Sequence, residues 1–309
     1  MPDAPYRAEY VLNQLISLFR SGQKHLSPNV YAFTTVMDSY ALHNHPEAGE
    51  YAERLLKNMR KLKYKHDADK VEVNTGVLNV VLHAWLCSGN EKAGYRVNAL
   101  LEDMEMRADV EGQKELQPNA RSYSLALTVW SKMKSSDKAE HAFRILKRTK
   151  ERVEKGLLFV PRNDHLDCLV VNTCAFTSGD KNVEERAFQI AVEVMRTLIE
   201  ETDFAHASIT FGWFFQACGR LDVDKRLKEE NIEWAFGKCC EMGLMNEFVL
   251  ERFKGSASDE LFERLVGNIL PKPSNEEHRK TKDTLQLDHL PTYWTRTTRD
   301  RVGKRTNVG

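Results

Sequence analysis

An all-α solenoid of stacked helix-turn-helix hairpins is the fold this sequence predicts, and three observations predict it. The chain repeats at a fixed interval, each repeat carries two apolar stretches at helical spacing, and short polar breaks separate the stretches. Five segments align without gaps over their first dozen residues: AFTTVMDSYALHN from Ala32, VLNVVLHAWLCSG from Val77, SYSLALTVWSKMK from Ser122, LDCLVVNTCAFTSG from Leu166 and TFGWFFQACGRLD from Thr210. Their third residues, Thr34, Asn79, Ser124, Cys168 and Gly212, stand 44 or 45 residues apart.

Each repeat has the same internal order. The first helix carries an apolar stripe such as Phe33, Val36, Met37 and Tyr40, or Leu78, Val81, Leu82 and Trp85. Polar breaks follow at His43-Asn44-His45-Pro46, Ser88-Gly89-Asn90, Ser135-Ser136-Asp137 and Ser178-Gly179-Asp180. The second helix then opens near a small alanine, as in Ala52 to Met59 and Ala139 to Leu146, which lets the two helices approach closely. Pro28-Asn29 and Pro118-Asn119 punctuate the chain before the next first helix, where proline and asparagine favour helix starts. One hairpin cannot bury its stripe alone, so neighbours stack and share a core. The reading places a repeat array over residues 1–253, about five repeats plus a partial N-terminal one, and a terminal helix with a basic capping tail over 254–309.

Composition narrows the function classes. Hydrophobic residues make up 41% and charged residues 29%, a foldable mixture, and no apolar run approaches the roughly 18 to 20 residues that a membrane span needs. No membrane partner is expected. The 45 basic and 45 acidic side chains cancel, which weighs against a strongly electrostatic ligand but leaves room for a locally basic face. Six cysteines form no CxxC pair and read as small buried hydrophobes in a reducing compartment. The opening MPDAPYRAEY has neither the apolar core of a secretory signal nor an Arg- and Ser-rich presequence, and a helical pattern is under way by about Arg7.

The stretch Pro28-Asn29-Val30-Tyr31-Ala32-Phe33-Thr34-Thr35-Val36-Met37-Asp38-Ser39-Tyr40 and the stretch from Pro118 to Leu127 resemble the first-helix consensus of pentatricopeptide-repeat (PPR) proteins. The likeness covers about Arg7 to Phe253; it departs in length, since the family unit is about 35 residues. Tetratricopeptide repeats fit less well, because their Trp-Leu-Gly-Tyr signature is absent. The resemblance implies a right-handed α-solenoid that binds single-stranded RNA, reading one base per repeat. It further implies work in organellar RNA processing, stability or translation, in a mitochondrion or plastid. One reading position is the column Thr34, Asn79, Ser124, Cys168 and Gly212. The other closes each repeat, five residues before the next selector: Asn29, Asn74, Asn119, Asn163 and Ala207. The family's code then pairs Thr34 with Asn74 for adenine, Asn79 with Asn119 for a pyrimidine and Ser124 with Asn163 for adenine, a core of 5′-A-Y-A-3′. Asn29, Cys168, Ala207 and Gly212 are weaker members.

Two alternatives stay open at this stage. Each asparagine could simply cap the helix that follows it, a role asparagine favours. The whole array could be a protein-interaction scaffold without RNA. The clusters Arg54, Lys57, Arg60, Lys61, Lys63, Lys65 and Arg144, Lys147, Arg148, Lys150 read first as solvated faces and second as phosphate contacts. Beyond Pro271 nine basic residues face five acidic ones, and Tyr293-Trp294-Thr295-Arg296 reads as a cap anchored by Trp294 or as a stacking site. His43-Asn44-His45 lacks the fold context of a nuclease, Asp222-Val223-Asp224 has no His or Cys partner at ligand spacing, and no phosphate loop is present. No catalytic residue, metal, cofactor or small-molecule substrate is expected.

Overall fold

Side chains of Asn29, Asn74, Asn119, Asp224, Asn246 and Ser258 cap the helices that follow them and set where those helices begin. A computed structural model describes residues 3–66, 68–160, 164–201, 208–269 and 282–297. Among them every regular element is a helix. The order is α1 (Ala4–Arg20), α2 (Val30–Leu42), α3 (Ala48–His66), α4 (Thr75–Ser88), α5 (Ala93–Asp109), α6 (Ala120–Lys132) and α7 (Lys138–Glu154). It continues through α8 (His165–Ala175), α9 (Lys181–Glu201), α10 (Ser208–Arg220), α11 (Lys225–Glu241), α12 (Glu247–Ser256), α13 (Asp259–Val266) and a last helical turn α14 (292–297). No helix among the described residues is long and apolar enough to cross a membrane.

The chain divides into two units, residues 1–134 with 147–161 and residues 135–146 with 162–309. In the first, α2 packs on α1, α3 and α4, and α4 in turn on α3, α5 and α6. The first helices α2 and α4 thus each meet the second helix of their own hairpin and the first helix of the next. The stripe Ala52, Leu55, Leu56, Met59 and Leu62 of α3 is buried throughout, at the 3- and 4-residue spacing of one helix face. The α4 C-terminus closes on Gly89 in the left-handed region (φ 60°), the conformation that glycine adopts without a Cβ penalty.

One inter-hairpin contact recurs within this unit at the 45-residue period. Trp85 lies over Gly49, whose ideal Cβ would fall 2.2 Å from the indole, and donates Nε1–H to Glu53 at 2.9 Å. Trp130 lies over Gly94 and donates to Asn98 at 3.0 Å. Tyr40 holds the same column in the first hairpin and donates its hydroxyl to Glu9 at 2.6 Å. The indoles of α4 and α6 therefore each need a glycine on the preceding second helix. The linkers are tied too: the Val30 amide donates to the Lys70 carbonyl, and the Thr75 hydroxyl to the Gln117 carbonyl at 2.7 Å.

In the second unit, α8 packs on α9 and α10, and α10 on α9, α11 and α12, while α13 packs on α11. Residues 282–297 fold against the last hairpins. Leu285, Leu290 and Thr295 are buried, Trp294 meets Phe236 edge to face at 5.4 Å, and the Met245 amide donates to the Trp294 carbonyl. Arg296 and Thr297 donate to the carbonyls of Glu241 and Met242, in the last turn of α11 and just beyond it. Such carbonyls have no intrahelical donor, so this contact is a C-terminal cap. Trp294 is thus an anchor in the packed end of the chain. The boundary read at Phe253 falls inside α12, which continues to Ser256.

Cys174, Cys218, Cys239 and Cys240 are buried, Cys87 and Cys168 are half-buried, and all six are free thiols. Burial raises the Cys174 thiol to about 12 and the Cys168 thiol to about 11, and pushes the Cys87 thiol up as well. The thiolate is the reactive form. Iodoacetamide at pH 8 is therefore expected to modify no more than Cys87 and Cys168 in the folded chain, and all six after unfolding. Rapid native labelling of Cys239 or Cys240, read by peptide mass spectrometry, would contradict this burial.

Candidate functional site

The asparagine column is placed by helix capping. Asn29, Asn74 and Asn119 each have extended backbone, and each side-chain oxygen accepts the amide of the residue three further on. The bonds are Ala32 N to Asn29 at 2.9 Å, Val77 N to Asn74 at 3.1 Å and Ser122 N to Asn119 at 3.1 Å. A backbone N–H can only donate, so the oxygen of each carboxamide must face inward and the NH2 group outward. All three residues are exposed, and among the described residues the NH2 groups of Asn29 and Asn74 meet no protein acceptor. Each cap contributes about 1 kcal/mol to its helix. Asn163 and Ala207 lie outside the described residues.

A fourth described cap belongs to the same series: Asn246 accepts the Val249 amide at 2.9 Å and starts α12. The sequence reading missed it because this first helix begins 39 residues after α10, not 44 or 45. The signal was an Asn ahead of a helix that opens with an acidic residue.

The selector column divides by environment. Thr34 is half-buried and donates its hydroxyl to the Val30 carbonyl at 3.1 Å, which leaves its oxygen to act as an acceptor. Asn79 is only 6% exposed. Its Nδ2 donates to Asn119 Oδ1 at 3.3 Å and its Oδ1 accepts the Ser122 hydroxyl at 2.6 Å. Ser122 also closes a reciprocal capping box with Asn119. The structure therefore brings Asn79 and Asn119 together, and commits both atoms of the Asn79 amide to the next hairpin. Ser122 completes this network and escaped the sequence reading, since spacing alone does not show which way a side chain turns. Ser124 is half-buried, and its backbone carbonyl accepts the Thr128 hydroxyl.

Cys168 is half-buried, with its thiol raised by desolvation beside Thr210. Gly212 is fully covered, since a Cβ there would fall 2.2 Å from the Phe248 ring. Neither offers a polar group to a base. Asp224 caps α11 by accepting the Leu227 amide at 3.1 Å, so the acidic pair in that linker has a structural task.

The basic second helices are largely paired one hairpin along. Arg54 bonds Glu9 at 2.6 Å, Arg96 bonds Glu53, and Arg148 bonds Glu102 at 3.2 Å and Glu105 at 3.1 Å. Arg152 clamps Asp109 with both terminal nitrogens, and within the second unit Arg186 bonds Glu140 at 3.0 Å. Arg60 reaches Asp103 at 3.5 Å. Exposed pairs of this kind contribute little individually, about 0.2–1 kcal/mol, but they neutralise a face that would otherwise attract phosphates. The chain matches no family model, no curated protein and no solved structure.

Proposed function

We propose that this chain is a PPR-like right-handed α-solenoid that binds single-stranded RNA sequence-selectively, without catalysing a reaction on it. The observation that carries this reading is the register of Asn29, Asn74 and Asn119. They recur at 45-residue intervals, exposed, each with its oxygen held by a cap and its NH2 group turned outward. A solenoid core has no need of an amide donor at that position; a base edge does. Thr34 adds an acceptor in its own column, so the first complete repeat offers the donor and acceptor that a Watson–Crick edge requires. Asn79 acts mainly by holding Asn119 in place. The bases read are those of the A-Y-A core, and a mitochondrial or plastid role in RNA processing, stability or translation goes with the reading.

A second reading has two observations behind it. Arginines of the second helices pair with carboxylates one hairpin away, and the net charge is zero, which suits a protein-binding scaffold. Fluorescence anisotropy separates the two. The purified chain is expected to bind labelled RNA with an A-Y-A core in preference to a scrambled one, more weakly as salt rises. No binding of either RNA at micromolar concentration would favour the scaffold.

A further inference from the structure

In the second unit the first helices carry aromatic and arginine side chains where the polar selectors are missing. Phe176 follows α8, Trp213 sits on α10 and Phe248 on α12. Their rings form an edge-to-face ladder, Phe176 to Trp213 at 5.7 Å and Trp213 to Phe248 at 5.2 Å. Two guanidinium groups lie on it: Arg220 at 5.1 Å from the Phe176 ring, and Arg252 at 5.3 Å from Phe248 and 5.7 Å from Trp213.

The ladder is separate from the core of the hairpins. On α10 the rings of Phe211, Phe214 and Phe215 are fully buried, whereas Trp213 and Phe248 are half-exposed and Phe176 is 40% exposed. Its cations are not held by acids. Arg54, Arg96, Arg148, Arg152, Arg186 and Arg264 bond carboxylates, while Arg220 and Arg252, like Arg196 over Trp234, have no carboxylate partner among the described residues. Among those residues, only Arg220 and Arg252 converge on one ring ladder.

We propose that Phe176, Trp213, Phe248, Arg220 and Arg252 form a platform for single-stranded nucleic acid that binds without sequence preference. Unpaired guanidiniums supply charge for phosphates, and ring and guanidinium planes supply stacking surface that every base can use. The charge decides the occupant: a purely apolar partner would leave two unneutralised arginines at the contact. The platform extends the RNA-binding reading to the unit whose selector positions, Cys168 and Gly212, carry no base-reading group.

The test is anisotropy of the full chain with labelled rU12 and with an A-Y-A oligonucleotide, at two salt concentrations. Arg220→Gln/Arg252→Gln is expected to weaken both about tenfold, to reduce the slope of log K against log[salt] by about 1.4, as for two single-strand phosphate contacts, and to keep their ratio. Trp213→Phe retains a ring and is expected to bind as the wild type does; Trp213→Leu binds several-fold more weakly, with circular dichroism confirming the fold. Unchanged rU12 affinity in the double arginine variant overturns the platform, and so does a wild-type chain that binds neither oligonucleotide. Base reading fails separately, by an A-Y-A preference that survives Asn74→Ser/Asn119→Ser while rU12 binding still depends on the arginines. Binding of a protein partner that is lost in the arginine variant, with no nucleic-acid binding by the wild type, would reassign the surface.

Discussion

Trp130→Ala is expected to lower the unfolding free energy by about 4 kcal/mol, in the range for deleting a fully buried aromatic. Trp130 has no exposed surface, donates to Asn98 at 3.0 Å, and meets Tyr95 edge to face at 5.3 Å. Its loss opens a void over Gly94 and removes the indole N–H that donates to Asn98. The complementary change is Gly94→Ala, which pushes a Cβ to 2.9 Å from the indole and is expected to cost about 2 kcal/mol by overpacking. Because the two residues touch, their effects should not add: Gly94→Ala on a Trp130→Phe background costs less than on the wild type. Urea titrations of the four chains check this. Strict additivity would mean that the recurring Trp-on-Gly contact is incidental to how the hairpins fit.

A chain ending at residue 281 is the second large perturbation. It removes Leu285, Leu290 and Thr295, all buried, together with Trp294 and its contact to Phe236. Each fully buried apolar side chain contributes about 1.5–3 kcal/mol, partly offset by the entropy of ordering the segment. The truncated chain is expected to lose a net 2 kcal/mol or more, on the order of the burial of one such side chain. It should also bind a hydrophobic dye that the full chain does not. The loss is local: hydrogen exchange should quicken in α11 and α12, whose linking segment receives the Trp294 and Arg296 contacts, and stay unchanged in α2 to α5. Equal protection with and without residues 282–309 would show that the segment is not a cap.

The period made the hairpins legible. The five first helices begin at Val30, Thr75, Ala120, His165 and Ser208, three or four residues before the columns Thr34, Asn79, Ser124, Cys168 and Gly212 that the period picked out. What escaped is what spacing does not encode. The α12–α13 hairpin starts early and its α12 is short, so the column comparison stopped before it. Nothing in the spacing marks Gly49 and Gly94, and only the rings packed on them show why a side chain is excluded. Asn79 read as a free amide facing a base, yet it lies buried against Asn119 and Ser122. The basic second helices read as solvated faces; four of their arginines, Arg54, Arg96, Arg148 and Arg186, are joined to acids 43 to 46 residues away, close to one repeat. Opposite charges one period apart were present in the sequence, but charge patterning within a single helix does not reveal them.

Asn74→Ser/Asn119→Ser tests the central claim most directly. Serine caps helices nearly as well as asparagine, so the folds of α4 and α6 should hold while both outward amide donors disappear. A net hydrogen bond of about 1 kcal/mol corresponds to roughly fivefold in affinity. The measurement is the ratio of affinities for A-Y-A and scrambled RNA in the wild type and the double variant, beside thermal unfolding curves of both. The account predicts a ratio well above one that falls by about tenfold or more, towards unity, in a variant that still folds but is about 1–3 kcal/mol less stable, because the buried Asn79 amide loses its acceptor on Asn119. An undiminished ratio would contradict base reading by these asparagines and leave them as helix caps alone.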